Sequence, residues 1–521
     1  MTDEEARAEM VLRVAALEEE RRQVLDEARP GPVARQHGLG KGTARERIAG
    51  LVDGGSFREL GALVLSEEDA ASDRATAPGD GIVVGNGLVD ERVVGIVAND
   101  FTALGGSNGE AGAAKMTRQT QLCIDHGYPL VMLLDGGGHR IQEGLDSRHF
   151  AGADDYFVRL GRLSGWAPIV AAVLGPGFAG PANLTSLSDL VVMVRGTSSL
   201  GVAGPALVKA GTGVAINKDD LGGADAQAAN GIVDLVIDTE DQAVDAVRRF
   251  LTYFPTNATE PPPAATAVDP PEVDLLAVVP TNPRRAYDVR TVIEALSDDG
   301  SILELRPTHA TNIVTSLARI DGRPVGVLAN QPKVAAGCIT AAACDKAAHF
   351  ISLCDAFGLP LVSLIDTPGF LIGPDAERTG LVRRAGKVLF ELGRASVPLL
   401  TVVLRKAYGL GYVAMGGGRS FHADLAVAWP TAEICAMSVP GAVDVAFRRD
   451  VEAADDPDKR RQELIEEFTA RTTPLAAAEG FGIDDLIDPR ETRGLLVDTL
   501  RRCAPRRRVE EPPRIHPVTP I

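Results

Sequence analysis

The chain carries one strand-and-turn pattern twice, at a fixed distance. VVGIVAND, at Val93–Asp100, is answered by PVGVLANQ at Pro324–Gln331, and YPLVMLLDGGG, beginning at Tyr128, by LPLVSLIDTPG, beginning at Leu359. Gly95 and Gly326, Pro129 and Pro360, and Asp135 and Asp366 are each 231 residues apart. Further on, APIV before AAVLGPGFAG matches VPLL before TVVLRKAYGLG, with Pro168 and Pro398 separated by 230. DLVVMVRGTSSLGVAGPALV then echoes DLAVAWPTAEICAMSVPGAV. An offset kept over separated blocks marks one domain duplicated in tandem. Apolar runs of strand length alternate with helical segments, at 112–126 and again at 340–357. This predicts an α/β layered fold whose strands are covered on both faces.

PTNATEPPPAATAVDPPEVD, at Pro255–Asp274, is too rich in proline for a helix or central strand and reads as an extended linker. The expected organisation is a first domain over 1–254, a linker over 255–284 and a second domain over 285–521. Residues 3–28 are rich in Glu, Arg and Ala, with Met10, Val14, Leu17 and Val24 near helical spacing. They predict a helical arm that could pack on a neighbouring subunit. The end of the chain is basic and then proline-rich, and reads as a tail.

A net charge of −18 argues against nucleic acid or an anionic membrane as partner. Aromatic residues make up only 4%, so stacking surfaces for bases are scarce. Six cysteines without CxxC spacing argue against a zinc ribbon, most of them read as small core residues, and no metal is expected. The acidic, polar start predicts no cleaved leader, and no window of about 18 uninterrupted apolar residues predicts a membrane span. A reducing cytoplasm is the expected location.

The strands of each half end in glycine turns: Asp135–Gly138 and Gly175–Gly180 in the first, Asp366–Gly369 and Gly409–Gly411 in the second. Glycine lets backbone approach a ligand, and a following helix leaves its first N–H groups without intrahelical partners. Two such groups aimed at one point form an oxyanion hole and require no particular side chain. No P-loop, strand-linked GxGxxG, GxSxG or HExxH is present, and the eight histidines are scattered. The chain offers no evident acid, base or nucleophile, which is consistent with a base supplied from elsewhere.

KGTARERIAGLVDGGSFREL at Lys41–Leu60 resembles the opening segment of the carboxyltransferase (beta) subunits of biotin-dependent acyl-CoA carboxylases. So do GDGIVVGNG at Gly79–Gly87, GGGHRIQEG at Gly136–Gly144, LGGA at Leu221–Ala224, DTPGFLIG at Asp366–Gly373, RKAYG at Arg405–Gly409 and WPTAEI at Trp429–Ile434. The resemblance runs in order from about Thr43 to about Arg493. It implies two tandem crotonase-like domains, the first for acyl-CoA and the second for biotin. It also implies a homo-oligomer, a hexamer built from dimers, in which the first half of one subunit works with the second half of another.

The implied reaction moves a carboxyl group from N-carboxybiotin to the α-carbon of an acyl-CoA. Loss of CO2 leaves a ureido anion that takes the α-proton, which accounts for the missing base. No Ala-Met-Lys-Met biotin attachment motif and no biotin-carboxylase half are present, so biotin arrives on a separate biotinylated alpha or carrier subunit. By the family pattern, Ala179 and Gly180 serve the thioester oxygen, and Leu410 and Gly411 the biotin ureido side. Coenzyme A brings phosphates, for which Lys115, Arg118 and Arg140 are the candidate cations.

The chain departs from the family at Phe178, bulkier than the usual Ala, at Val413, where an acidic residue helps shape the acyl pocket, and at Gln227, in place of His. These changes keep the reaction type and leave the acyl group open. A decarboxylase subunit running the transfer backwards, and a non-catalytic CoA-binding scaffold, are the competing readings. A crotonase-type hydratase needs a positioned Glu pair, which Gly177–Leu184 does not supply.

Overall fold

The computed structural model describes residues 2–65, 77–147, 151–152 and 155–506. The chain divides into two compact units, Met1–Glu260 and Pro261–Ile521. Strands β1 (Arg58–Leu60), β2 (Ile82–Val89), β3 (Arg92–Asn99), β4 (Leu130–Gly136), β5 (Ile169–Phe178), β6 (Leu190–Val194), β7 (Ser199–Gly201) and β8 (Leu235–Ile237) form the sheet of the first unit. Its order is β1-β2-β3-β4-β5-β6-β8, with β7 beside the end of β5. The second unit has β9 (Leu303–Leu305), β10 (Ile313–Ile320), β11 (Arg323–Asn330), β12 (Leu361–Thr367), β13 (Leu399–Tyr408), β14 (Leu425–Ala428), β15 (Glu433–Cys435) and β16 (Asp485–Leu486). They run β9-β10-β11-β12-β13-β14-β16, with β15 beside β13. In both sheets the first three strands are antiparallel and the rest parallel.

The duplication holds at the level of register. Ile82 pairs with Asn99 and Ile313 with Asn330. Gly95 pairs with Leu130 and Gly326 with Leu361. The ladder breaks at the same place in each half, between Leu134 and Gly136 and between Ile365 and Thr367. Every residue of β4 and β12 is buried, as continuous apolar runs require of parallel strands covered on both faces.

The connecting helices also correspond. Glu110–His126 ends in left-handed Gly127, and Ala341–Ala356 starts where the Thr340 hydroxyl accepts from Ala343 N. Each lies close on its sheet through a glycine on the strand and a cysteine on the helix. A methyl group on Gly95 would stand 2.3 Å from Cys123 Sγ, and one on Gly326 2.3 Å from Cys354 Sγ.

The arm is the helix Asp3–Gln23, closed at its start by a Thr2–Glu5 capping box, and none of its residues is buried. Sequence places a linker over 255–284, yet from Pro261 onward the chain packs on the second unit. Ala265 N donates to Gly322 O at 2.9 Å, Arg319 donates to Pro263 O, and Leu275 and Val279 enter the second core. Residues 261–274 form neither helix nor sheet ladder because proline removes donors, a short helix follows at Leu275–Val278, and the stretch is held because its remaining polar groups and apolar side chains find partners. Most of the proposed tail, 507–521, lies outside the described residues. Among the described residues no helix is long and apolar enough to cross a membrane.

Gly95→Ala and Gly326→Ala are each expected to destabilise their unit by about 1–3 kcal/mol through overpacking. Pairing Gly326→Ala with Cys354→Ala should recover part of the loss, as read in chemical denaturation.

Candidate active site

The turns expected from sequence come together within each unit. In the first, β4 runs out through Asp135 and Gly136 into Gly137 and Gly138, while β5 ends at Phe178 and turns at Ala179 into the helix Gly180–Thr185. A methyl group on Gly138, which has φ of 89°, would stand 3.0 Å from Phe178 O and 3.8 Å from Gly180 N. The second unit repeats this. A methyl group on Gly369 would lie 3.6 Å from Tyr408 O, and one on Gly411 would lie 2.6 Å from Gly369 Cα. Asn108 N donates to Gly138 O at 2.7 Å and Ile339 N to Gly369 O at 2.9 Å, so each strand-end turn is pinned by the same backbone bond.

Ala179 sits at φ of 62° and ψ of −113°, a region that costs a residue with a side chain roughly 1–3 kcal/mol. Its positional counterpart after β13 is Gly409, at φ of 57°. By strand register, then, Gly180 corresponds to Leu410 rather than to Gly411. Ala179 N donates to Gly201 O at 3.0 Å, so that N–H belongs to the β5–β7 ladder. Gly180 N–H lies in the first helical turn, where no intrahelical acceptor exists, and so do the N–H groups of Leu410 and Gly411 in the helix Gly409–Ala414. Pro181 removes one such donor from the first unit.

Leu410 is exposed and Val413 half-buried. Phe178 is half-buried, with its ring against the sites of Gly201 and Gly204, where added methyl groups would meet it at 3.3 and 3.6 Å. Gln227 donates from Nε2 to Leu200 O at 2.6 Å, bracing β7 behind that ring.

The three candidate cations differ in setting. Arg118 is exposed on the helix Glu110–His126. Lys115, on the same helix, is buried, with its ammonium donating to Gly79 O at 2.9 Å and to Ile82 O. Lys346, 231 residues later, likewise donates to Arg306 O, His309 O and Ile313 O. Arg140 is also buried. Its guanidinium pairs with Asp80 at 2.6 Å and Glu143 at 2.5 Å, while Asp80 accepts from Gly112 N and Glu143 from Glu110 N. Burial alone would lower the pKa of Arg140, but those carboxylates hold it above the ordinary value. The cluster ties the segment after the glycine turn to the start of the helix.

The strand-end aspartates have no exposed surface. Asp135 receives Lys41 Nζ at 2.7 Å, an Arg47 guanidinium nitrogen at 2.8 Å and Gln36 Nε2 at 3.0 Å. Asp366 receives Arg405 Nε at 3.0 Å and Lys406 N at 3.1 Å. Sequence reasoning did not single out Lys41, Arg47 or Arg405. The available signal was an aspartate inside an apolar strand, which demands a buried cation.

The candidate site thus consists of paired backbone turns braced by buried ions. Among the described residues no group of three or more His, Cys, Asp or Glu side chains is placed to hold a metal ion.

Residues 35–519 match the carboxyl transferase domain. The chain is 40% identical over 515 residues to the carboxyltransferase subunit of propionyl-CoA carboxylase from Haloferax mediterranei, covering 98% of this chain and 99% of that one. It is 39% identical over 485 residues to the methylmalonyl-CoA decarboxylase alpha subunit of Veillonella parvula, covering 92% and 93%. The crystal structure of the transcarboxylase 12S hexamer, with methylmalonyl-coenzyme A bound, superposes with a TM-score of 0.92 at 40% identity, covering 98% of each chain. The chain belongs to the carboxyl transferase family. It is an enzyme of carboxyl transfer with two crotonase-like domains.

Burial lowers the pKa of Lys115 from 10.5 to about 8. Between about pH 8 and 10.5 the unfolded chain keeps this proton while the folded chain sheds it, so this group adds stability as pH rises. Lys115→Met should flatten that rise, by about 1–3 kcal/mol across the window. The check is the difference in urea midpoint between wild type and variant at each pH.

Proposed function

We propose that this chain is the carboxyltransferase subunit of a biotin-dependent acyl-CoA carboxylase, moving a carboxyl group from a biotinylated partner to the α-carbon of an acyl-CoA. The observation that carries the reading is the recurrence of one turn pair, Gly138 with Gly180 and Gly369 with Leu410–Gly411, in a chain whose motifs match this family in order. Bound carboxybiotin supplies the CO2 and, once decarboxylated, a ureido nitrogen basic enough for the α-proton. The protein's part is to stabilise charge on two oxygens. In the first unit, Gly180 N–H, with Ala179 setting its direction, faces the thioester oxygen as the enolate forms. In the second, the Leu410 and Gly411 N–H groups face the ureido oxygen. Main-chain dipoles fixed by folding need no reorganisation as charge develops, which is why this class of site is effective.

Arg118 is the exposed candidate for a phosphate of coenzyme A. Lys115 and Arg140 serve the same site from inside, by holding the helix and turn that carry it. Phe178 and Val413 shape the acyl side. Assembly as a hexamer with a separate biotinylated subunit, in the cytoplasm, accords with the same reading. The relatives include both carboxylases and a decarboxylase, and the turns serve either direction.

Reconstitution with a biotinylated partner, ATP and bicarbonate against a panel of acyl-CoAs tests the proposal. ATP-dependent fixation of bicarbonate into one acyl-CoA is the expected result. ATP-independent loss of CO2 from a malonyl-type CoA alone would assign the decarboxylase, and neither activity would leave a scaffold. Gly180 has open space around its Cα. Gly180→Ala therefore keeps the N–H and should retain most activity. Gly180→Pro removes the N–H and should cost on the order of 100-fold in kcat, with the assembly intact by light scattering.

A further inference from the structure

We infer that Lys41 and Arg47 are positioning residues for the first-unit glycine turn, acting through Asp135. The inference rests on the reading above that Gly180 N–H faces the thioester oxygen, because the Gly138 turn packs against the Gly180 turn, a methyl group on Gly138 standing 3.8 Å from Gly180 N. Asp135 is the penultimate residue of β4, two residues before Gly137, and its carboxylate is fully buried. The groups facing it are Lys41 at 2.7 Å, Arg47 at 2.8 Å and Gln36 at 3.0 Å, with Glu240 bonded to the far side of Arg47 at 2.9 Å. Lys41 and Arg47 come from the segment leading into and along the helix Ala44–Leu51, not from the sheet.

The neighbouring strand is shaped to admit them. A methyl group on Gly175 of β5 would stand 1.8 Å from Asp135 Oδ1 and 2.9 Å from Lys41 Nζ, so only glycine leaves room for the pair. In the second unit the residue at this register position is Arg405, which pairs with Asp366 from β13 itself. The two units thus neutralise the same strand-end carboxylate by different routes. One draws its cations from far upstream in sequence, the other from the adjacent strand.

The backbone oxygen of Asp135 is also packed against Gly106, where a methyl group would come within 2.3 Å. Any shift of the strand end is therefore passed to the turn rather than absorbed beside it. Removing Lys41 leaves two carboxylates, Asp135 and Glu240, sharing the one buried Arg47, and the strand end moves to relieve the excess negative charge. A displacement of about 1 Å in a site of this kind costs on the order of 100-fold in rate.

The test uses the full chain reconstituted with its biotinylated partner. Lys41→Met should lower kcat about 100-fold while changing KM for the acyl-CoA only a few-fold, and Lys41→Arg should restore most of it. Hydrogen exchange should quicken at the amides of Gly136–Gly138 and stay unchanged at Thr367–Gly369. Combining Lys41→Met with Asp135→Asn removes the excess negative charge and leaves Arg47 with Glu240, and because the two sites couple it should recover roughly tenfold or more over the single variant.

Wild-type kcat in Lys41→Met, faster exchange in both units alike, or a double variant no better than the single one would each overturn the inference. Lys41→Gln, which keeps a donor and removes the charge, carries the same readings if Lys41→Met does not fold. If the wild-type chain transfers carboxyl to no acyl-CoA, the functional reading falls. The exchange pattern then still decides whether Lys41 holds this turn.

Discussion

A carboxylate with no exposed surface at the end of a central strand cannot stand alone. Taking away the partner of such a buried charge costs about 3–5 kcal/mol, because the remaining ion stays in a medium that solvates it poorly. Asp135 and Asp366 each impose this condition at the point where a strand gives way to a glycine turn. The cations that answer them, Lys41 and Arg47 in one unit and Arg405 in the other, fix where the strand ends. The turn beyond the strand inherits that position, together with its bond from Asn108 or Ile339 and its contact with the next turn.

The duplication preserved geometry more closely than chemistry. Strand order, register, ladder breaks and turn contacts coincide in the two units. Some side chains recur, as Lys115 with Lys346 and Cys123 with Cys354 do, but around the strand-end turns the residues differ. Gly175 opens space in one unit where Arg405 fills it in the other. Ala179 endures a positive φ where Gly409 adopts one freely. The Arg140 cluster with Asp80 and Glu143 occurs in the first unit, where Leu371 stands at the corresponding position of the second. Backbone geometry is what the two units share, because the turns are held by main-chain contacts.

That choice suits the chemistry of the family. Carboxyl transfer passes through charge on oxygen, and fixed N–H dipoles meet such charge without a titrating side chain. The buried cysteines fit the same picture. Desolvation raises the Cys123 thiol to about 12, so it packs the helix to the sheet as a neutral group and takes no part in nucleophilic chemistry.

The duplication, the α/β class and the glycine turns were legible in the sequence, because a repeated offset and apolar strands with period and length of their own are local signals. The helices at 112–126 and 340–357 were legible for the same reason, and appear as Glu110–His126 and Ala341–Ala356. Tertiary structure alone decided which N–H groups are already paired. Ala179 lost its donor to Gly201, a partner set by β5–β7 pairing. It also decided that Lys115 and Arg140 turn inward, and that residues from 261 belong to the second unit's surface and core. The cations of Asp135 lie some 90 residues away in sequence, and no local pattern links a buried charge to a counter-ion brought to it only by folding.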